Sequence, residues 1–247
     1  MYLGDFMIYS SVENEKIKEI KKIQNKKYRD IKNLFIVEGE HLVKEAYKTN
    51  NLVTLIKEED FDISLDIETL TVTKKVMKYL SELDNPSKVI GVCKKNIGNI
   101  KGNKILALDG VQDPGNLGTI IRSSVAFDVD TILIGKNCVD IYNSKVIRAT
   151  QGLIFNCNFV LCDLIDTLTN MKEYKILATK VDGGTSLDKI KTTNKFVVVM
   201  GSEGMGVSKE ILSLCNEYLY IDMNSNCESL NVAVATSIIL YELRGNK

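Results

Sequence analysis

Histidine is nearly missing from this chain, with His41 the single one in 247 residues. That removes most Ser-His-Asp and Cys-His chemistry, because His41 follows "VEGE" at a helix start, far from any nucleophile, and reads as a surface or capping residue. Cysteine pairs are missing too. Cys93, Cys138, Cys157, Cys162, Cys215 and Cys227 include no C-x-x-C, so zinc-ligand spacing is lacking and no metal is expected. There is no net charge, since 32 Lys and Arg offset 32 Asp and Glu. Binding of nucleic acid through bulk charge is thereby disfavoured, although a local basic face is allowed. No uncharged apolar run reaches spanning length, and the opening "MYLGDFMIYS" lacks a basic region ahead of a long apolar core. A reduced, cytoplasmic protein without a membrane partner is the expectation. Both common nucleotide fingerprints are also lacking: neither G-x-G-x-x-G nor G-x-x-x-x-G-K-[ST] occurs.

What is present reads as two α/β regions. The composition, 45% hydrophobic and 26% charged, gives enough apolar residues for two modest cores. Ser11 to Asn33 carries eight lysines and arginines against four acids, with Ile17, Ile20 and Ile23 at helical spacing, and predicts one helix with a basic outer face. Such a charge run is usually a solvated surface, and RNA contact is the sharper alternative. Short strands and helices then alternate up to "KVIGVCKK". "NIGNIKGN", Asn96 to Asn103, reads as the linker, which divides the chain into 1–98 and 99–247. Beyond it, apolar strands such as "KILALD", "TILIG", "KILATKV", "FVVVMG" and "YLYIDM" interleave with helices and predict a mostly parallel sheet covered on both faces. The final helix, "LNVAVATSIILYELR", is apolar around most of its circumference and must be covered by the core or by another subunit.

Ligands of such sheets bind at the carboxyl ends of strands. There the chain places "DGVQDPGNLG", "VDGGTS", "GSEGMGVS" and "NSNCES", so one site built from several loops is the economical reading. In the first, Asn116 sits where a helix N-cap belongs, and Arg122 flanks the apolar stripe beside Gly118, which exposes bare backbone, so that the arginine can point into a cleft. In the third, Glu203 among Gly201, Gly204 and Gly206 disfavours an anionic ligand and suits a ribose hydroxyl, an amine or an arginine such as Arg122. Taken singly, each glycine loop is as well explained by turn chemistry, and Arg122 by a core-closing pair with Glu203.

Together, "DGVQDPGNLGTIIRS", "VVVMGSEGMGVS" and "IDMNSNCESLNVAVATSIILYEL" resemble the three ordered motifs of the SpoU-type (TrmH-like) RNA ribose 2′-O-methyltransferases of the SPOUT superfamily. "SVENEKIKEIKKI" with "RDIKNLFIVEGEHLVKEA" is similar to the RNA substrate-binding domain common in that family. One departure stands out: Asp222 occupies the third motif where the family usually has proline. The resemblance implies an α/β fold with a mostly parallel sheet whose carboxyl-terminal domain is tied in a trefoil knot, an exception to the un-knotted rule, preceded by a small α/β RNA-binding domain. It implies S-adenosylmethionine bound at Met200, Gly201, Ser202, Glu203 and Gly204, at Ile221 and Met223, and at Ser229, Leu230 and Asn231, with Thr179, Lys180 and Gly183 covering it. It further implies Arg122, Asn116, Glu203, Ser229 and Asn231 as catalytic residues, ribosomal RNA ahead of transfer RNA as substrate, and a homodimer. Two other classes stay open at this point: an RNA-binding protein that has lost catalysis, and a nucleotide-dependent transferase or dehydrogenase on a doubly wound sheet.

Overall fold

The structure is a computed structural model that describes residues 7–180, 183–191 and 194–244. Its backbone forms two compact units, Met1–Lys95 and Asn96–Lys247.

In the first unit the chain runs β1 (Ile8–Tyr9), α1 (Glu15–Lys22), α2 (Lys26–Lys32), β2 (Leu34–Glu38), α3 (Glu40–Lys48), β3 (Leu52–Glu58), β4 (Glu68–Val72), α4 (Lys74–Leu80) and β5 (Val89–Lys94). The sheet order is β1-β4-β3-β5-β2, with β5 antiparallel to both its neighbours. Ile17, Ile20 and Ile23 bury against Ile56, Leu70, Val76, Met77 and Ile90, each such side chain contributing about 1.5–3 kcal/mol. The single basic helix expected from Ser11 to Asn33 is two helices. The apolar stripe ends at Ile23, and Asn25, in extended conformation, accepts from Lys27 N–H at 2.9 Å and starts α2, as Asn14 accepts from Lys16 N–H at 2.9 Å and starts α1.

The second unit continues with β6 (Lys104–Asp109), α5 (Pro114–Ala126), β7 (Thr131–Ile134), α6 (Ser144–Ala149), β8 (Phe159–Leu161), α7 (Leu164–Asn170), β9 (Lys175–Thr179), β10 (Thr185–Ser186), β11 (Phe196–Gly201), α8 (Lys209–Leu212), β12 (Glu217–Tyr220) and α9 (Val232–Leu243). Seven strands lie in the order β10-β12-β9-β11-β6-β7-β8, every pair parallel. All six residues of β11 are buried, as a sheet covered on both faces requires. Residues 96–103, read as a linker, are bonded into this unit: Asn96 N–H donates to the Tyr142 hydroxyl at 2.7 Å and Gly98 N–H to Phe159 C=O at 2.9 Å.

Candidate active site

Strands β12, β9, β11 and β6 are consecutive neighbours and parallel, so their carboxyl ends share one edge of the sheet. The four polar and glycine-rich loops leave from that edge. Two are tied together at their base, where Asp109 Oδ2 at the end of β6 accepts from Ser208 N–H at 2.8 Å.

After β6, helix α5 is capped by Asp113 and not by Asn116. Asp113 Oδ1 accepts from Asn116 N–H at 2.7 Å, and Pro114 takes the first helical position, where its missing N–H costs nothing. The Asn116 side chain is thereby released for another task. Its Nδ2 donates to Glu203 Oε1 at 2.7 Å, and its Oδ1 accepts from Asn231 Nδ2 at 2.9 Å. Asn231 caps α9, its Oδ1 accepting from Ala233 N–H at 2.9 Å and Val234 N–H at 3.3 Å. The cap fixes the direction of the whole relay. With Asn231 oxygen turned to its helix, its nitrogen must face Asn116, whose nitrogen must then face Glu203, which acts as acceptor. Three sequence motifs meet in these three side chains.

Arg122 is exposed on α5, one residue from Ser123, whose hydroxyl lies 2.7 Å from that of Ser237 on α9. It makes no ion pair or hydrogen bond among the described residues, so the core-closing pair with Glu203 does not form; the carboxylate is bonded to Asn116 instead. Gly118 also departs from expectation. It is buried, and a Cβ there would lie 2.3 Å from Ala149 Cβ, so its bareness lets α5 and α6 approach and borders no cleft.

After β11 the chain turns back sharply, with Ser202 and Gly206 exchanging backbone hydrogen bonds at 3.1 and 3.0 Å. A Cβ on Gly201 would come within 2.0 Å of the Gly206 carbonyl carbon, and Gly206 has φ +68°. Gly204 differs: a Cβ there would meet nothing within 4 Å, which leaves exposed bare backbone beside Glu203. Met200 and Gly201 are buried strand residues, and Ser202 is half-buried.

After β9, the Thr179 hydroxyl donates to Val199 C=O at 3.3 Å, and the Lys180 ammonium lies 5.3 Å from the centre of the Tyr218 ring. Gly183 has φ +72° and open space where a Cβ would stand. Beyond β12, Ile221 and Leu230 are half-buried while Met223 and Ser229 are exposed. Asp222, in place of the family's proline, accepts from the Ser186 hydroxyl at 2.5 Å, and the same hydroxyl contacts Asp188. A side-chain hydrogen bond to β10 thus restrains the turn that a proline ring would stiffen. Sequence reading missed this tie, and the signal was the departure itself. Among the described residues no three His, Cys, Asp or Glu side chains gather to hold a metal ion.

Comparison with known proteins agrees with this architecture. Residues 103–241 match the SpoU rRNA Methylase family, and residues 14–91 match the MRM3-like substrate binding domain. The chain is 34% identical over 243 residues to the 23S rRNA (guanosine(2553)-2′-O)-methyltransferase RlmP of Bacillus subtilis (strain 168), with 95% of this chain and 98% of that protein covered. An AdoMet-bound rRNA methyltransferase from Sinorhizobium meliloti superposes with a TM-score of 0.85 at 28% identity, covering 98% of each chain. A TrmH-family RNA methyltransferase structure from Porphyromonas gingivalis has a TM-score of 0.83 at 28% identity, covering 95% of this chain and 98% of that one. With matches of this extent on either side of the sheet edge just described, the chain belongs to the SpoU rRNA methylase family, enzymes that move the methyl group of S-adenosylmethionine to a ribose 2′-hydroxyl of RNA.

Proposed function

We propose that this protein methylates a ribose 2′-hydroxyl of 23S ribosomal RNA, at the guanosine numbered 2553 in the name of its Bacillus relative. The observation that carries the catalytic reading is the relay from Asn231 through Asn116 to Glu203, at 2.9 and 2.7 Å, which unites the three motifs, and the substrate follows from the likeness to the Bacillus relative. Docking of RNA alone does not call for three polar side chains from distant segments gathered at one sheet edge.

The residues present fit S-adenosylmethionine. Gly183 and Gly204 leave their main chain bare, so a flat adenosine can reach backbone donors and acceptors without a phosphate loop. Met200, Gly201, Ser202, Glu203 and Gly204 would hold it together with Ile221, Met223, Ser229, Leu230 and Asn231, and Thr179, Lys180 and Gly183 would lie alongside. When bound, the cofactor supplies an electrophilic sulfonium methyl. The chain's own task is to present the hydroxyl. Glu203, fixed by Asn116, keeps free acceptor positions for a ribose O–H. Arg122 brings a planar cationic fork, which orients the 2′-oxygen and stabilises its developing negative charge, while an RNA phosphate takes the proton.

The same reading includes a trefoil knot, a homodimer and a cytoplasmic location. The knot is supported by the path of residues 221–231: β12 lies beyond β9, yet α9 packs against α5 and β11, so the connection crosses back over the strand ends. The dimer is supported by an exposed stripe on α9, with Val234, Ile238 and Tyr241 at 47, 39 and 53% exposure. No described helix is long and apolar enough to cross a membrane.

Mapping of 2′-O-methyl groups in RNA from cells with and without the protein tests the substrate; loss of the mark from transfer RNA and not from 23S RNA would overturn it. For the chemistry, Arg122→Ala is expected to leave S-adenosylmethionine affinity nearly intact while single-turnover methylation falls roughly a hundredfold or more. Arg122→Lys should remain well below wild type, because a point charge cannot hold ribose oxygen and phosphate in one planar fork. Near-normal turnover of Arg122→Ala would remove the arginine from the mechanism.

A further inference from the structure

Helix α2 is built unlike the other helices of its unit. Of its seven residues only Arg29 is buried, while Tyr28 and Ile31 point outward at 38 and 67% exposure. An aromatic and an apolar side chain exposed on one short helix offer a partner more surface than either would alone. Two contacts tie the end of α1 and the turn that leads into α2 to α4. The Lys21 ammonium at the end of α1 lies 5.2 Å from the centre of the Tyr79 ring, and Gln24 donates to Leu80 C=O. On the other side, Lys22 lies 5.9 Å from the centre of the Tyr28 ring. Tyr79, on the α4 that packs against α1, and Tyr28, in the first turn of α2, each 38% exposed, thus stand on either side of the end of α1.

The charge at that corner is unbalanced. Lys26, Lys27 and Lys78 are exposed and form no ion pair among the described residues. The acids of α1 and α2 are already taken: Glu15 pairs with Lys18 at 3.7 Å, Glu19 with Lys22 at 2.6 Å and with Lys32 at 3.8 Å, and Asp30 with Lys95. Unpaired ammonium groups interleaved with exposed rings suit one class of partner, a polyanion that also carries flat apolar faces. A protein with an acidic surface would satisfy the lysines and leave the two exposed rings without a matched partner.

We infer that the α1–α2–α4 corner is the RNA-docking surface of the amino-terminal unit, with Tyr28 and Tyr79 as stacking platforms for unpaired bases and Lys26, Lys27 and Lys78 on the phosphates. The inference rests on the reading of the chain as an RNA methyltransferase and names where the amino-terminal unit grips the RNA. Recognition here is of splayed bases and backbone, the mode that suits loops of folded RNA.

The test uses the full chain and an unmodified 23S rRNA transcript, with affinity measured across a range of salt concentrations. Tyr28→Ala with Tyr79→Ala is expected to weaken binding roughly tenfold or more with the salt slope unchanged, and Tyr28→Phe with Tyr79→Phe to restore it. Lys26→Gln with Lys27→Gln and Lys78→Gln should weaken binding and reduce the salt slope by about two to three, since each phosphate contact contributes nearly one. In both sets S-adenosylmethionine affinity and turnover at saturating RNA should match wild type, which shows that the fold and the catalytic edge are intact. Unchanged RNA affinity and salt slope in both sets would overturn the surface even if the wild type methylates the transcript. Wild-type protein that binds through these residues but leaves the transcript unmethylated would instead overturn the enzymatic substrate, and wild-type protein that does not bind it would overturn both.

Discussion

An asparagine amide is useful in a site only if its two ends cannot exchange, and here the N-terminus of α9 decides the orientation of Asn231 and, through it, of Asn116. A substitution that keeps the cap but changes the other end therefore isolates the relay. Asn231→Asp does this, because aspartate caps a helix as well as asparagine does while offering Asn116 an acceptor where a donor stood. Thermal stability is expected to stay within a few degrees of wild type. Turnover should fall roughly ten- to a hundredfold, the cost of one misdirected polar contact beside a carboxylate, with weaker cofactor affinity alongside. Unchanged kinetics would mean that the relay is only a structural tie. A cysteine provides a second probe. Burial pushes the Cys157 thiol up to about 12 and the Cys215 thiol up to about 11, and raises Cys93, Cys138 and Cys162 as well, so these stay protonated and inert at neutral pH. Cys227 is exposed in the 221–231 loop. Iodoacetamide is expected to label it first, and saturating S-adenosylmethionine to slow that labelling; an unaltered rate would count against this loop as a wall of the cofactor site.

Among the elements, helix α5 shows best how a local rule and a distant contact share one segment. Gly118→Ala should gain up to about 1 kcal/mol of helix propensity. Against that gain stands a new methyl 2.3 Å from Ala149 Cβ and 3.1 Å from the Val146 carbonyl oxygen, an overpacking cost of about 1–3 kcal/mol. Denaturant unfolding is expected to give a net loss; a variant that keeps its stability but loses cofactor would restore Gly118 to the site. The elements themselves were legible in the sequence, because runs such as "KILALD" and "FVVVMG" end at turn residues and the helices between them keep a 3.6-residue period. Two errors had readable signals. Asp113 ahead of Pro114 is the cap-then-proline pattern that moves the cap off Asn116, and Asn25 repeats the cap of Asn14 where one helix was drawn through. Other features had no local signal. The 87 residues between Asn116 and Glu203, and the 115 between Asn116 and Asn231, are bridged by strand order alone, so only the resemblance to SpoU-type motifs could bring these residues together from sequence.

At the scale of the whole molecule, the proposed knot and the proposed dimer are tested mechanically and by mass. A knotted chain pulled from its two ends cannot reach the full extension of about 3.3–3.6 Å per residue, because the tightened knot retains part of its length. Optical-tweezer unfolding should therefore stop short of that length, and full extension would exclude the knot. The proposal of a dimer rests on α9. Its inner face buries Val232, Ala233, Ile239, Leu240 and Leu243, so the core already accounts for one side of this apolar helix. Val234, Ile238 and Tyr241, spaced by four and three residues, form a second stripe on its outer side, where Phe127 meets Tyr241 edge-on at 5.7 Å. A two-fold partner laid on that stripe would be self-complementary, the commonest way soluble chains associate. Because the same helix begins at Asn231, such a partner would sit beside the relay and steady the loop before it. Ile238→Glu places a charge in the middle of the stripe at a position that is already 39% exposed, so the monomer fold should tolerate it. Light scattering at micromolar concentration is expected to give twice the mass of 27.6 kDa for wild type and the single mass for the variant, with cofactor affinity reduced in the variant. A wild-type monomer would refute the dimer, and a monomeric variant with undiminished cofactor affinity would show that the partner covers α9 without supporting the site.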